Sequence, residues 1–396
     1  MKLQKASNAL FLFCFLTFIY IGAAATLLKP RADTSYFENR PLAAAPVLSS
    51  SSFIDGSFFA AWETYLKDHA AARETLLKVG TMIDLNVLHR PVVNDIVPTN
   101  GLLLSYNDYK VVDSAKIEAA SAAMADSMKA LKDMMTQDGG TFCFVAVQGQ
   151  TDYDSQEYPA YLDNGGALAD TVVTDFKKDM ADRGVPFVDL GDVFDDLGHP
   201  AGYYSKSDHH FTFEGAFSAY QAIIRQIEHD SGKSLPQLTS DDITFETLPN
   251  PFLGSRARKL FNLIDTNEHA VIGTLKNPIS FTRVNNGVTV PATVYALPAS
   301  PDETVSYTVY MGGDIAETVI RTDRPALPNV LIVGDSYTNA IECLMYTSFN
   351  EIRSLDLRHY TAMSLADYIK QYKPDVVIMI RDYSVLVTPG GNGTAF

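Results

Sequence analysis

Apolar residues recur along this chain at two spacings, and the alternation between them predicts the architecture. Between Ser114 and the pair Gly139-Gly140, Ile117, Ala120, Met124, Met128, Leu131 and Met135 follow steps of three and four. That spacing predicts a helix capped at Ser114 and ended by the glycines. Residues 142–147 then run almost without a polar break, as in a strand covered on both faces of a parallel sheet. A helix over 168–183 and a short strand over 186–190 follow. Phe213, Phe217, Tyr220, Ile224 and Ile227 mark another helix behind a cap at Thr212. Beyond residue 325 the alternation returns as strand 330–333, helix 339–346, strand 351–357, helix 365–372 and strand 376–380. The expected fold is therefore α/β, a parallel sheet flanked by helices, built from residues 92–239 and 326–396.

The stretch 240–325 has a different pattern. Proline and glycine become frequent, Asn286-Gly287 separates 281–284 from 288–290 as in a tight hairpin, and 305–310 is β-rich. A β-containing insertion is expected there. Upstream, Phe58, Trp62, Tyr65, Leu66, Ala70, Arg73 and Leu77 fall at helical spacing, so residues 29–91 read as a proline-bearing linker followed by an N-terminal helical arm.

Residues 1–28 add the targeting signal. Lys2 and Lys5 precede an uncharged stretch from Ala9 to Leu28, long enough to cross a bilayer, while Ala23-Ala24-Ala25 also suits cleavage of a signal peptide. We read a membrane anchor ahead of a cleaved signal; with either, the basic flank places the rest of the chain outside the cytoplasm. After Leu28 no second stretch of that kind occurs.

Charge and cysteine usage narrow the function classes. A formal charge of -16 repels phosphate backbones and argues against a nucleic-acid partner. The cysteines at 14, 143 and 343 make neither a disulfide framework nor a zinc spacing. With no phosphate-cradling glycine loop, no cofactor is expected.

Two constellations carry candidate chemistry. In the first, the strand 330–333 runs into Gly334-Asp335-Ser336 and then a helix. A serine placed there sits beyond the carboxyl end of a strand, beside backbone N–H groups able to hold an oxyanion. Asp335 and Ser336 would equally serve as plain helix caps. The second is Ser207-Asp208-His209-His210-Phe211 before the helix at 213. A serine nucleophile needs a base, and a histidine held by a carboxylate supplies one, so Asp208 and His210 are the candidates. His209 is expected to face substrate or to support its neighbours. Adjacent histidines also suit a metal, yet no further histidine or carboxylate has convincing ligand spacing, and no metal site is assigned.

At these residues the chain resembles a known family. The segment from Ser207 to Ala216, with its Asp208-His209-His210-Phe211 core, is similar to the motif of the bacterial DHHW proteins. Gly334-Asp335-Ser336-Tyr337, Leu355-Asp356-Leu357-Arg358, Glu38-Asn39-Arg40-Pro41-Leu42 and Asp55-Gly56-Ser57-Phe58 fit the same pattern, with Phe211 where the family has tryptophan. That family is similar to the SGNH hydrolase-like proteins of alginate O-acetylation. The resemblance implies a Ser336-His210-Asp208 triad and acetyl transfer to a cell-envelope or exported carbohydrate. It also implies a membrane-bound O-acyltransferase partner as acetyl donor. The oxyanion donors are left among the Ser336 amide, Tyr337 and Asn339. Further candidate contacts at strand ends are Gln148, Gln150, Asp152 and Tyr153 after one strand, and Arg381 with Tyr383 after another. A carbohydrate or lipid esterase using the same triad and a catalytically silent envelope-binding module are the alternatives.

Overall fold

The computed structural model describes residues 2–38, 40–106 and 112–390, so Asn39 of the N-terminal motif lies outside the described residues. The chain divides into two compact units, Met1–Ile96 with Ala257–Ile264, and Val97–Arg256 with Asp265–Phe396.

The first unit begins with a helix, Lys2–Leu28, whose stretch Ala6–Leu28 is long and apolar enough to cross a membrane. Three further helices, Ser50–Ile54, Ser57–His69 and Arg73–Asn86, make the arm. An ion-pair network ties its base together. Arg40 donates to Asp68 at 2.6 and 2.9 Å, and Arg73 donates to Glu38 at 2.5 and 2.9 Å.

The second unit is built on an eight-stranded sheet. In chain order its strands are β1 (Thr141–Val147), β2 (Phe187–Asp189), β3 (Thr282–Asn285), β4 (Val288–Val290), β5 (Glu317–Arg321), β6 (Val330–Val333), β7 (Glu351–Leu355) and β8 (Val376–Asp382). Across the sheet the order is β4-β3-β5-β7-β6-β8-β1-β2. The five strands from β7 to β2 are parallel, and β5, β3 and β4 add antiparallel. Parallel pairing needs cover on both faces, and the near-continuous apolar runs supply it. Successive side chains of β1 and β6 point to opposite sides. Cys143, Val145, Val147, Val330 and Ile332 pack under the helix Phe213–Ser231. Phe142, Phe144, Ala146, Leu331 and Val333 meet the helices Ser114–Gln137, Gly166–Asp182 and Leu365–Tyr372.

The periodicity-based elements fall close to their expected bounds, with instructive differences. Asp113 rather than Ser114 caps the helix Ser114–Gln137, its carboxylate accepting from the Lys116 amide at 3.2 Å. The β-rich residues 305–310 form a short 3-10 turn, Tyr307–Val309, flanked by single bridges, because burial of the Tyr307 and Tyr310 rings sets their path. The Asn286-Gly287 hairpin joins β3 to β4, with Asn286 at φ 48° and Gly287 at φ 77°, the left-handed values a two-residue turn requires. The segment 240–325 divides in space. Its later strands extend the main sheet, while Ile243–Pro251 pairs with His269–Leu275 in a separate ribbon.

The connections part at β6. The chain leaves it for β7 on one side and returns as β8 on the other. In such sheets that point opens a crevice beyond the carboxyl ends of the strands.

Candidate active site

Ser336 stands at that crevice, two residues past Gly334 and just before the fully buried helix Thr338–Met345. Gly334 is needed for the tight exit from β6, since a Cβ there would lie 2.4 Å from the Thr338 methyl and 3.1 Å from the Ile380 carbonyl. Asp335 turns the chain, its carboxylate accepting from the Tyr337 amide at 3.0 Å.

The base is delivered by a narrow loop. Tyr204 bridges to Phe211, and the Ser205 amide donates to the His210 carbonyl at 3.1 Å, so residues 205–210 form a tip. Thr212 closes the loop by capping the following helix, accepting from the Gly215 amide at 3.4 Å. The tip is clamped from the far segment. Glu268 accepts from the amides of Lys206 and Ser207 at 2.9 and 3.0 Å and from the Ser207 hydroxyl at 2.6 Å.

On this tip Asp208 and His210 are both buried. His210 Nδ1 lies 2.6 Å from Asp208 Oδ1, and its Nε2 lies 2.8 Å from Ser336 Oγ, across 126 residues of sequence. The imidazole stacks on the Tyr307 ring at 3.7 Å with 4° between planes and meets Tyr337 edge-on. Ring packing thus adds to the two polar contacts in holding the imidazole. Asp208 Oδ1 also accepts from the amides of His209 and His210, and Oδ2 from the Ser255 amide at 2.6 Å. Burial opposes ionisation of Asp208, but the adjacent His209 and His210 and these donors hold its carboxyl well below the usual range.

The Ser255 contact depends on Gly254. A Cβ on that residue would stand 2.1 Å from the Ser207 carbonyl oxygen and 2.7 Å from the Asp208 amide. Gly254→Ala is therefore expected to displace the tip, costing about 1–3 kcal/mol in thermal stability and more than tenfold in turnover. A variant with wild-type melting and turnover would show that the tip moves freely.

Behind the serine, Asp335 is pushed up to about 6 by burial and by the nearby Asp382 carboxylate. Since this lies above the ordinary value of 3.8, Asp335 favours folding most below about pH 4, and that contribution disappears as pH rises through about 6. Asp335→Asn is expected to flatten the stability change across that window, as followed by melting temperatures between about pH 4 and pH 7.

The remaining expected site residues are placed as follows. Tyr337 is buried; its hydroxyl donates to the His209 carbonyl at 2.8 Å and its amide to Asp335. Asn339 donates its side-chain amide to Asp314 at 3.1 Å. Of the three oxyanion candidates, the Ser336 N–H alone meets no acceptor among the described residues. His209 is more exposed and its Nδ1 lies 3.0 Å from Ser255 Oγ. Gln148 accepts at its carbonyl from the Tyr204 hydroxyl, and Gln150 donates to the Ser205 carbonyl, so both brace the loop. Tyr153 is buried, donates to the Pro200 carbonyl at 2.8 Å and stacks on His199. Burial, chiefly, pushes the nearby Asp152 carboxyl up to about 6. Arg381 is also buried and donates to the Val385 and Thr388 carbonyls at 3.2 and 3.1 Å, closing the C-terminal turn. The Tyr383 hydroxyl donates to Asp189.

Asp208, His209 and His210 offer three potential metal-ligand atoms within 4.8 Å of one another, but both His210 nitrogens already face Asp208 and Ser336. The second such group, Asp314, Asp356 and His359, has its two carboxylates paired with the Arg358 guanidinium. Ser255, Glu268 and Tyr307 escaped the sequence reading. They come from the stretch 240–325, and no local pattern marks a residue whose task is to hold a loop 47 to 97 positions away.

Residues 103–274 match the family model of the SGNH hydrolase-like domain of the acetyltransferase AlgX. Over that stretch the chain is similar to SGNH hydrolase-like domains. PatB1 of Bacillus cereus matches it at 25% identity and TM-score 0.62, covering 74% of this chain and 96% of its own. The same protein with a sulfonyl adduct matches at 22% identity and TM-score 0.61, covering 74% and 97%. A DHHW family protein from Eubacterium siraeum shares the fold at 20% identity and TM-score 0.53, covering 75% and 95%. No curated protein matches the sequence.

Proposed function

We propose that this SGNH hydrolase-like protein is an extracytoplasmic O-acetyltransferase that moves an acetyl group through Ser336 to a hydroxyl of a cell-envelope or exported carbohydrate. The observation that carries the proposal is the unbroken relay from Asp208 through His210 to Ser336, at 2.6 and 2.8 Å. Its match to the domain of an acetyltransferase supports the choice of acyl group.

His210 Nε2 takes the Ser336 proton as Oγ attacks the acetyl carbonyl, and Asp208 keeps the Nδ1 proton in place and offsets the imidazolium charge. The Ser336 N–H, at the start of the buried helix, donates to the oxyanion. The imidazolium then protonates the departing donor, leaving an acetyl ester on Ser336. An acceptor hydroxyl loses its proton to His210 Nε2 and attacks that ester. Collapse transfers acetyl to the sugar, and the proton returns to Ser336. A membrane-bound O-acyltransferase is the proposed source of acetyl groups, held close by the apolar N-terminal helix.

The test uses detergent-solubilised full-length protein and an activated acetyl ester, with and without sugar oligomers, beside Ser336→Ala. Serine-dependent turnover that rises with sugar and yields acetylated sugar is expected. Water as the only acceptor would replace the transferase by an esterase. No turnover, with no label on Ser336 from a serine-directed phosphonate, would leave a silent binding module.

A further inference from the structure

The helix Arg73–Asn86 presents an apolar stripe to the outside. Leu76, Val79 and Ile83, with Val87 just past its end, recur at three- and four-residue steps and are 67, 42, 41 and 68% exposed. On the opposite side Thr81 is the helix's one buried residue; it accepts from the Asn94 side-chain amide at 2.9 Å and donates to the Leu77 carbonyl. An amphipathic helix normally turns its apolar stripe inward. Here the stripe faces outward for about 17 Å, taking 1.5 Å per residue.

A second observation says what covers it. The Ala71 amide, two residues before this helix, donates to Thr26 Oγ1 at 3.0 Å. Thr26 lies in the last turn of the apolar helix Lys2–Leu28 and bonds the Gly22 carbonyl at 2.8 Å. Arg31, just beyond that helix, sits over the Tyr65 ring at 5.4 Å. The helix Arg73–Asn86 therefore starts where the membrane-crossing candidate ends, at the level of the lipid headgroups. Phe53 and Phe59, 56 and 55% exposed, add apolar surface on the same arm.

We propose that the helix Arg73–Asn86 lies on the bilayer, with Leu76, Val79, Ile83 and Val87 set among the lipid headgroups and upper acyl chains. Interfacial helices of this kind bury their apolar face roughly 5–10 Å below the headgroups. The arm thereby becomes a second attachment to the membrane. The proposal rests on the reading of Lys2–Leu28 as an uncleaved anchor.

Trp62 is the only tryptophan, which makes a direct test simple. Full-length protein carrying Trp62→Phe with either Val79→Trp or Lys78→Trp is reconstituted into phosphatidylcholine vesicles with brominated acyl chains. Emission of the Val79→Trp protein is expected to fall about twofold at shallow bromine positions, and that of the Lys78→Trp protein to change little. Equal weak quenching of the two, in protein that resists carbonate washing, would overturn the lipid contact while leaving the anchor reading intact. Protein that washes off would sink both. Weak quenching accompanied by dimers of the reconstituted protein that the Val79→Trp change disrupts would assign the stripe to a second copy of this chain instead.

Discussion

Replacing Ser336 by alanine is expected to lower acetyl transfer by about 10⁴-fold or more, with KM nearly unchanged. On the proposed mechanism the hydroxyl forms the bond carrying the acetyl group, so its loss removes the two-step route and leaves only oxyanion binding and proximity. His210→Ala should fall by a similar factor. The double variant should be no worse than either single one by more than about tenfold, because residues acting in one relay lose their shared contribution only once. Additive losses would show that the two side chains act independently, contrary to the 2.8 Å contact between them. Ser336 is half-buried, so alanine should shift the melting temperature little.

Asp208→Asn is expected to lower kcat by about 10⁴-fold, in line with the same change in other serine triads. The carboxylate here accepts from the His209 and His210 amides, from His210 Nδ1 and from the Ser255 amide, so both oxygens face donors. An asparagine must turn its NH₂ toward one of them, leaving two donors face to face in a buried site. If the NH₂ faces His210, the ring must take the tautomer that donates from Nε2 toward the serine, the wrong one for a base. Turnover falling with KM unchanged separates this from general loosening. The same carboxylate supports the fold. Its depressed pKa means that the stabilisation is present above about pH 4 and lost as pH falls below it, so the variant should lose its stability deficit in acid. A deficit that stays constant down to about pH 2 would contradict that assignment.

Much of the sheet was legible because its signals are local. The unbroken apolar run of β1 and the 3.6-residue spacing of Met124, Met128, Leu131 and Met135 are both set by which faces are covered, and packing followed them. β5 was missed, although Thr318, Val319 and Ile320 are β-branched as suits a strand, because so short a run in a proline- and glycine-rich stretch is fixed as a strand only when β3 and β7 pair with it. Arg381 was placed among the substrate contacts because it follows a strand at the right end of the sheet. Position along a strand does not reveal direction, however, and its guanidinium turns toward the Val385 and Thr388 carbonyls. Tyr153 followed the same logic, and its ring went into the core beside His199 and Tyr204.

Local pattern was enough to place a serine at a strand-to-helix turn and an aspartate and histidine two residues apart before a helix cap, because backbone geometry at such junctions depends on near neighbours. Their meeting across 126 residues depended on the sheet order that sets β6 beside β7 and β8, and on contacts from residues far along the chain. Glu268 clamps the loop, Ser255 completes the Asp208 donors, and Tyr307 stacks on the imidazole. Each is a contact between distant segments, closed only when the chain is compact, and no spacing along the sequence encodes it.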